Sequence, residues 1–379
     1  MFVHNASARQ PIERLSQVIP AACPRLPDAD AVLPYLRRMD AARTYSNFGP
    51  LLTAFEARLA ERFETGTEVV TCVNATQALT LTLQALDLPK GGLVAIPSYT
   101  FVATAHAVVA AGLIPLFLDV DPEDWMLRPA TVREALKQAP GPIVATIVVA
   151  AFGAMPDLDG WRALRDETGL PVVLDAAAAF DTARAADIPT VVSLHATKVL
   201  GVGEGGFLAT TSAGLAARLR QLTTFGFRGA RVSDIAATNA KLSEYAGAVG
   251  LAALDTWDSD RLRFLRTARL VRAAMTFLPE IRFQSGWGDD WVTSVCAVRL
   301  PDGSVGAIER SLQDQDIQTR RWWDRGCHAN PAFNECPRGD LQVTETLGRS
   351  VLGLPFAVDM GEHEISRVAA ALGSALASL

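Results

Sequence analysis

The sequence predicts an α/β fold: a large domain with a mostly parallel sheet sandwiched by helices, followed by a smaller α+β domain at the C-terminus. Three observations predict it. The chain has 379 residues, more than one small core can use. Short β-branched apolar runs alternate with amphipathic stretches between Val69 and Leu222, the pattern of strands buried on both faces and covered by helices. Beyond Ser243 the pattern changes to a long helical stretch and then to mixed elements.

Residues 1–45 are expected to form an N-terminal arm with a short helix near Ala31–Arg38. Residues 46–255 form the large domain. Leu51, Leu52, Phe55, Leu59 and Phe63 share one helical face. Strands are then predicted at Val69–Val73, Leu93–Ile96, Leu116–Leu118, Ile143–Ala150, Val172–Leu174, Val191–Leu194 and Phe207–Thr210. Helices are predicted between them at Gln77–Leu86, Thr104–Ala111, Thr131–Gln138 and Leu158–Thr168, with Leu215–Leu222 after the last. The stretch from Ser243 to Phe277 reads as helix with a break near Trp257. Residues 256–379 form the smaller domain, with a strand at Val292–Leu300 and helices at Val305–Gln313 and Glu362–Leu376.

Hydrophobic residues make up 49% of the chain and the net charge is −6. No basic tract stands out, which argues against nucleic acid as a partner. Five scattered cysteines do not make a disulfide framework. The stretch Met1–Leu15 is mixed and polar rather than leader-like, and no apolar run reaches the roughly 18 residues of a membrane span. A soluble cytoplasmic protein is expected.

Four pieces carry chemistry. Ser193-Leu194-His195-Ala196-Thr197-Lys198 ends a strand and places a lysine among small residues. Most lysines are solvated surface groups, but one desolvated in a crevice can form a Schiff base. Upstream, Val172-Val173-Leu174-Asp175 ends a strand in a carboxylate. Asp175 is either a helix cap or the group that keeps the ring nitrogen of pyridoxal phosphate (PLP) protonated. Asn74-Ala75-Thr76 follows a strand and opens a helix, where backbone N–H groups suit a phosphate as well as they suit an ordinary cap. Pro97-Ser98-Tyr99-Thr100-Phe101 also follows a strand, and its aromatics serve either the core or a planar cofactor. Parallel sheets bind ligands beyond the carboxyl ends of their strands, where all four pieces fall.

In this order the pieces resemble the DegT/StrS sugar aminotransferases, PLP enzymes of fold-type I (the aspartate aminotransferase fold). The likeness runs from about Tyr45 to the C-terminus. It includes Ser46-Asn47-Phe48-Gly49-Pro50 with Phe55-Glu56, Pro115 with Phe117 to Pro122, and Gly203-Glu204-Gly205-Gly206 after the lysine. Thr238-Asn239-Ala240-Lys241-Leu242-Ser243-Glu244 and Leu354-Pro355 complete it. The resemblance implies Lys198 as Schiff-base lysine and proton shuttle, and Asp175 as partner of the ring nitrogen. It implies Phe101 against the ring, and Ala75, Thr76 and Ser193 on the phosphate. Asn239 would reach the phosphate of a neighbouring subunit, so a homodimer with shared active sites is implied. The amino donor would be glutamate or glutamine, and the acceptor a nucleotide-linked keto-deoxysugar. Two positions depart from the pattern: Ala178 stands where glutamine or histidine is usual, and Asn74 replaces the usual serine.

Gly201-Val202-Gly203-Glu204-Gly205-Gly206 fits a dinucleotide fingerprint, but a strand follows it instead of a helix. Cys327, His328 and Cys336 match no zinc spacing, so no metal is expected. Arg320-Arg321-Trp322-Trp323 either clamps an anion and stacks a base or packs as snorkelling arginines beside tryptophans. By resemblance Arg320, Arg321 and His328 border the substrate. The alternatives to amine transfer are another PLP reaction such as sugar dehydration, in which the family replaces the lysine by histidine, and a non-catalytic PLP-binding regulator.

Overall fold

The computed structural model of the protein describes residues 18–379. The polar stretch Met1–Leu15, and with it the first part of the expected arm, lies outside the described residues. Helix α1 (Ala29–Ala42) is longer than expected and packs on the long helix introduced below. Asp28 caps it by accepting from the Ala31 N–H, and Pro34 inside it does not end it. Helix α2 (Pro50–Ala60) begins with proline behind Gly49 and buries Leu51, Leu52, Phe55 and Leu59.

A seven-stranded sheet follows. Its parts in chain order are β1 (Glu68–Cys72), α3 (Ala75–Ala85), β2 (Leu93–Pro97), α4 (Val102–Ala110), β3 (Ile114–Leu118) and α5 (Pro129–Gln138). Then come β4 (Ile143–Val149), α6 (Leu158–Thr168), β5 (Val172–Asp175), β6 (Thr190–Ser193), β7 (Gly206–Thr210) and α7 (Ala213–Thr223). The spatial order is β1-β7-β6-β5-β4-β2-β3, and only β7 runs against the others. Alternate residues feed two apolar clusters, one on each face: Val172 and Leu174 join one, Val173 the other. The carboxyl ends of β1, β2, β4, β5 and β6 therefore meet at one edge. Because β7 is reversed, its first residue Gly206 lies at that same edge, in register with Cys72 and Ser193.

Helix α8 (Glu244–Ala274) corrects the expected break at Trp257: it runs unbroken for 31 residues. Trp257 is buried edge-on to Phe180, and the polar residues around it serve the helix's outer side. Asp255 there accepts from Arg58 and Tyr35. The division expected between residues 255 and 256 falls inside this helix. Strands β8 (Arg282–Phe283) and β9 (Cys296–Arg299) come next, then α9 (Val305–Gln313), α10 (Gln342–Ser350), β10 (Val351–Leu354) and α11 (Glu362–Ala377). The second sheet is antiparallel, in the order β10-β9-β8. The strand expected from Val292 starts only at Cys296. The preceding backbone is engaged elsewhere: Val292 donates to the Asp181 carboxylate and the Val295 carbonyl accepts from the Trp287 indole. Among the described residues no helix is long and apolar enough to cross a membrane.

Candidate active site

At the carboxyl edge, Asp175 ends β5 with its side chain almost wholly buried. Its Oδ2 accepts from the Thr104 hydroxyl at 2.8 Å and its Oδ1 from the Ala177 N–H at 3.1 Å. Burial pushes the carboxyl pKa up, and these two hydrogen bonds and the Lys198 charge oppose it. Asp175 is not a side-chain helix cap, since no helix starts behind it.

Lys198 sits in the turn after β6, which closes through Ala196 N–H to Gly203 O and Val202 N–H to Leu194 O. Gly201 allows that closure, because a Cβ there would lie 3.0 Å from the His195 carbonyl oxygen. Desolvation lowers the Lys198 pKa, while Asp175 acts in the opposite sense. No hydrogen bond or ion pair among the described residues occupies its amine, so Nζ is open to a carbonyl. A recess at Thr197 and Lys198 is walled by Ala22–Arg25 of the arm, by Ser294 and by Phe356–Val358. Nothing in the composition of the arm or of these later segments marks them as lining this recess.

Asn74 caps α3 by accepting from the Gln77 N–H at 2.8 Å. The N–H groups of Ala75 and Thr76 head the helix with no intrahelical acceptor, and the helix dipole adds positive potential there. This turn lies directly against Gly206: a Cβ on Gly206 would meet the Ala75 nitrogen at 2.4 Å. The glycine run thus closes the lysine turn and seats the Asn74–Thr76 turn, and β7 follows it as a strand. Ser193, beside Gly206 in the sheet, accepts from the His195 N–H at 3.2 Å.

Phe101, at the start of α4, is 58% exposed and is no core aromatic. Tyr99 takes the buried role instead, edge-on to Trp323 at 5.0 Å, with Phe152 stacked on Trp323 at 3.9 Å. Trp323 therefore has one face covered by Phe152. Arg321 is bound by Glu309 through Nε and a terminal nitrogen, and Arg320 lies over the Trp322 ring. His328 is buried, with Nδ1 2.7 Å from the Ser98 hydroxyl, so it braces the loop after β2. Burial lowers its pKa. Cys327 and Cys336 are free thiols. Asn239 is exposed on a loop that meets the end of β1, where the carbonyl of the next residue, Ala240, accepts from the Val73 N–H; the Asn239 side-chain oxygen accepts from Lys241. Ala178 presents only a methyl, and its carbonyl oxygen faces Gly153, where a Cβ would stand 2.9 Å away.

The donor set fits PLP: N–H groups heading a helix for the phosphate, a buried carboxylate for the ring nitrogen and an unpaired amine for the carbonyl. The DegT/DnrJ/EryC1/StrS aminotransferase family matches the chain over residues 28–373. The chain is 31% identical over 339 residues to the erythromycin biosynthesis sensory transduction protein EryC1 of Saccharopolyspora erythraea, covering 86% of this chain and 90% of that protein. It is 30% identical to the dTDP-3-amino-3,4,6-trideoxy-alpha-D-glucose transaminase of Streptomyces venezuelae, covering 84% and 86%. The crystal structure of DesI in the presence of its TDP-sugar product superposes with a TM-score of 0.86 at 32% identity, covering 96% of this chain and 94% of that one.

Proposed function

This chain belongs to the DegT/DnrJ/EryC1/StrS aminotransferase family of PLP-dependent enzymes, and from that premise we propose that it aminates a keto-sugar. The amino group would come from glutamate or glutamine and go to the keto carbon of a nucleotide-linked keto-deoxysugar. One observation carries the reading: the Asp175 carboxylate, the Lys198 amine and the free N–H groups of Ala75 and Thr76 all stand at one sheet edge. The similar S. venezuelae enzyme is a dTDP-sugar transaminase and DesI has a TDP-sugar product, which supports the choice of sugar.

PLP, when bound, supplies an electron sink that makes the donor's Cα–H acidic. Ala75, Thr76 and Ser193 would hold its phosphate, Phe101 would cover its ring, and Asp175 would balance a positive charge on the ring nitrogen. Lys198 Nζ would take the proton from the donor's Cα and pass it to the cofactor's C4′ carbon, a task suited to an amine of lowered pKa. A second subunit would bring Asn239 to the phosphate, and the exposed Phe225 and Phe227 on the same loop suit a covered surface. Five free cysteines suit the reducing cytoplasm in which the proposal places the reaction. Dehydration is disfavoured because Lys198 is kept. A purely regulatory role, suggested by the name of EryC1, is disfavoured by the joint presence of Lys198 and Asp175.

The test is incubation of the PLP-loaded protein with glutamate and a panel of dTDP-linked keto-deoxysugars. Mass spectrometry should find an amino sugar and an equal amount of 2-oxoglutarate. Oxoglutarate formed without any amino sugar would remove the sugar assignment and leave the transaminase. Neither product, with glutamine also inactive, would remove both.

A further inference from the structure

Among the described residues the Asp175 carboxylate has one hydrogen-bond partner that comes from another element of the fold, the Thr104 hydroxyl on α4. Thr104 is fully buried and Thr100, 3.0 Å from it, is 2% exposed. An ionised carboxylate only accepts hydrogen bonds. The Thr104 proton must therefore go to Asp175 Oδ2, which leaves the Thr104 oxygen to accept from Thr100. The chain Thr100 to Thr104 to Asp175 has a single direction, and all three members are buried.

We propose that Thr104 is a positioning residue: backed by Thr100, it fixes the Asp175 carboxylate in its ionised form and in one orientation. The proposal rests on the reading of Asp175 as partner of the cofactor ring nitrogen. Two fixed donors, Thr104 on Oδ2 and the Ala177 N–H on Oδ1, leave the remaining lone pairs for that nitrogen. The one charged side chain acting on Asp175 among the described residues is Lys198, from the turn after β6. Once Lys198 holds the cofactor its charge is altered, and the hydroxyl relay becomes the fixed support of the carboxylate.

Thr104→Val keeps the shape and removes the donor, Thr104→Ser keeps the donor, and Thr100→Val cuts the relay one bond further out. Each is loaded with PLP, and two quantities are read: the cofactor dissociation constant, and the pH dependence of glutamate turnover. Thr104→Val should weaken cofactor retention on the order of tenfold and move the acid limb of the profile up by about one pH unit. Thr104→Ser should restore both. A Thr104→Val profile and dissociation constant matching wild type overturn the proposal, as does Thr104→Ser damaged as badly as valine, since packing would then explain both. Should Thr104→Val not fold, Thr100→Val must still raise the acid limb, and an unmoved limb overturns the relay. A wild-type protein that binds no PLP would instead overturn the functional reading.

Discussion

Lys198 meets two opposing demands. An amine that reacts with a carbonyl must be neutral, while a neighbouring carboxylate favours the charged form. Here burial lowers the lysine pKa and Asp175 only partly restores it. A lysine pKa lowered by folding destabilises the folded state below that pKa, because the native chain must bury a charged ammonium that the unfolded chain leaves in water. The penalty fades as pH climbs through the folded pKa toward the ordinary lysine value of about 10.4. Lys198→Met should therefore raise the melting temperature of the cofactor-free protein at neutral pH while abolishing amine transfer. Scanning calorimetry at neutral and alkaline pH checks this: the gap should close as pH rises, and a variant less stable at neutral pH contradicts it. Lys198 and Asp175 were legible because each stands just beyond an apolar strand run. Thr104 was not: a threonine in the first turn of a helix is ordinary, and its partner lies 71 residues away.

The start of α3 shows the same division at the scale of an element. Its cap, Asn74, was readable from the strand–turn–helix pattern, although the support under it was not. Gly206 matters because the Ala75 nitrogen lies only 2.4 Å from where its Cβ would be, a contact between neighbouring strands' ends. Asn74→Ala should cost about 1 kcal/mol of stability, as lost caps do. Gly206→Ala should act mainly on the turn, displacing the Ala75 N–H and weakening PLP binding more than folding. Urea unfolding and PLP titration of both variants separate the effects; unchanged PLP affinity in Gly206→Ala would argue against a phosphate seat there. Two helices start on carboxylates from distant segments. Glu244 accepts from the Leu51 and Leu52 N–H groups, and Asp119 accepts from those of Val343 and Thr344. Such caps leave no local signal, so nothing in the sequence marks the start of α10.

Across the whole molecule, the large sheet was legible because its strands are continuous apolar runs set between amphipathic helices. The small sheet was largely hidden: β8 has two residues, and β10 follows α10 directly. The loop carrying Asn239 exposes Phe225, Phe227 and Val232, more apolar surface than a lone loop needs to show. If that surface meets a second copy, wild type should sediment as a dimer, and a Phe225→Asp, Phe227→Asp double variant should shift toward monomer and lose PLP retention. A variant that stays dimeric with full PLP affinity would count against the shared site. The central claim, that Lys198 binds the cofactor which Asp175 and the α3 N-terminus hold, is tested most directly by absorbance spectroscopy of PLP-loaded protein during glutamate addition. Wild type should show a visible band from the lysine-bound cofactor that glutamate bleaches, and Lys198→Ala should lack that lysine-bound form. A wild-type band that glutamate leaves untouched, or a spectrum identical in Lys198→Ala, would contradict the account.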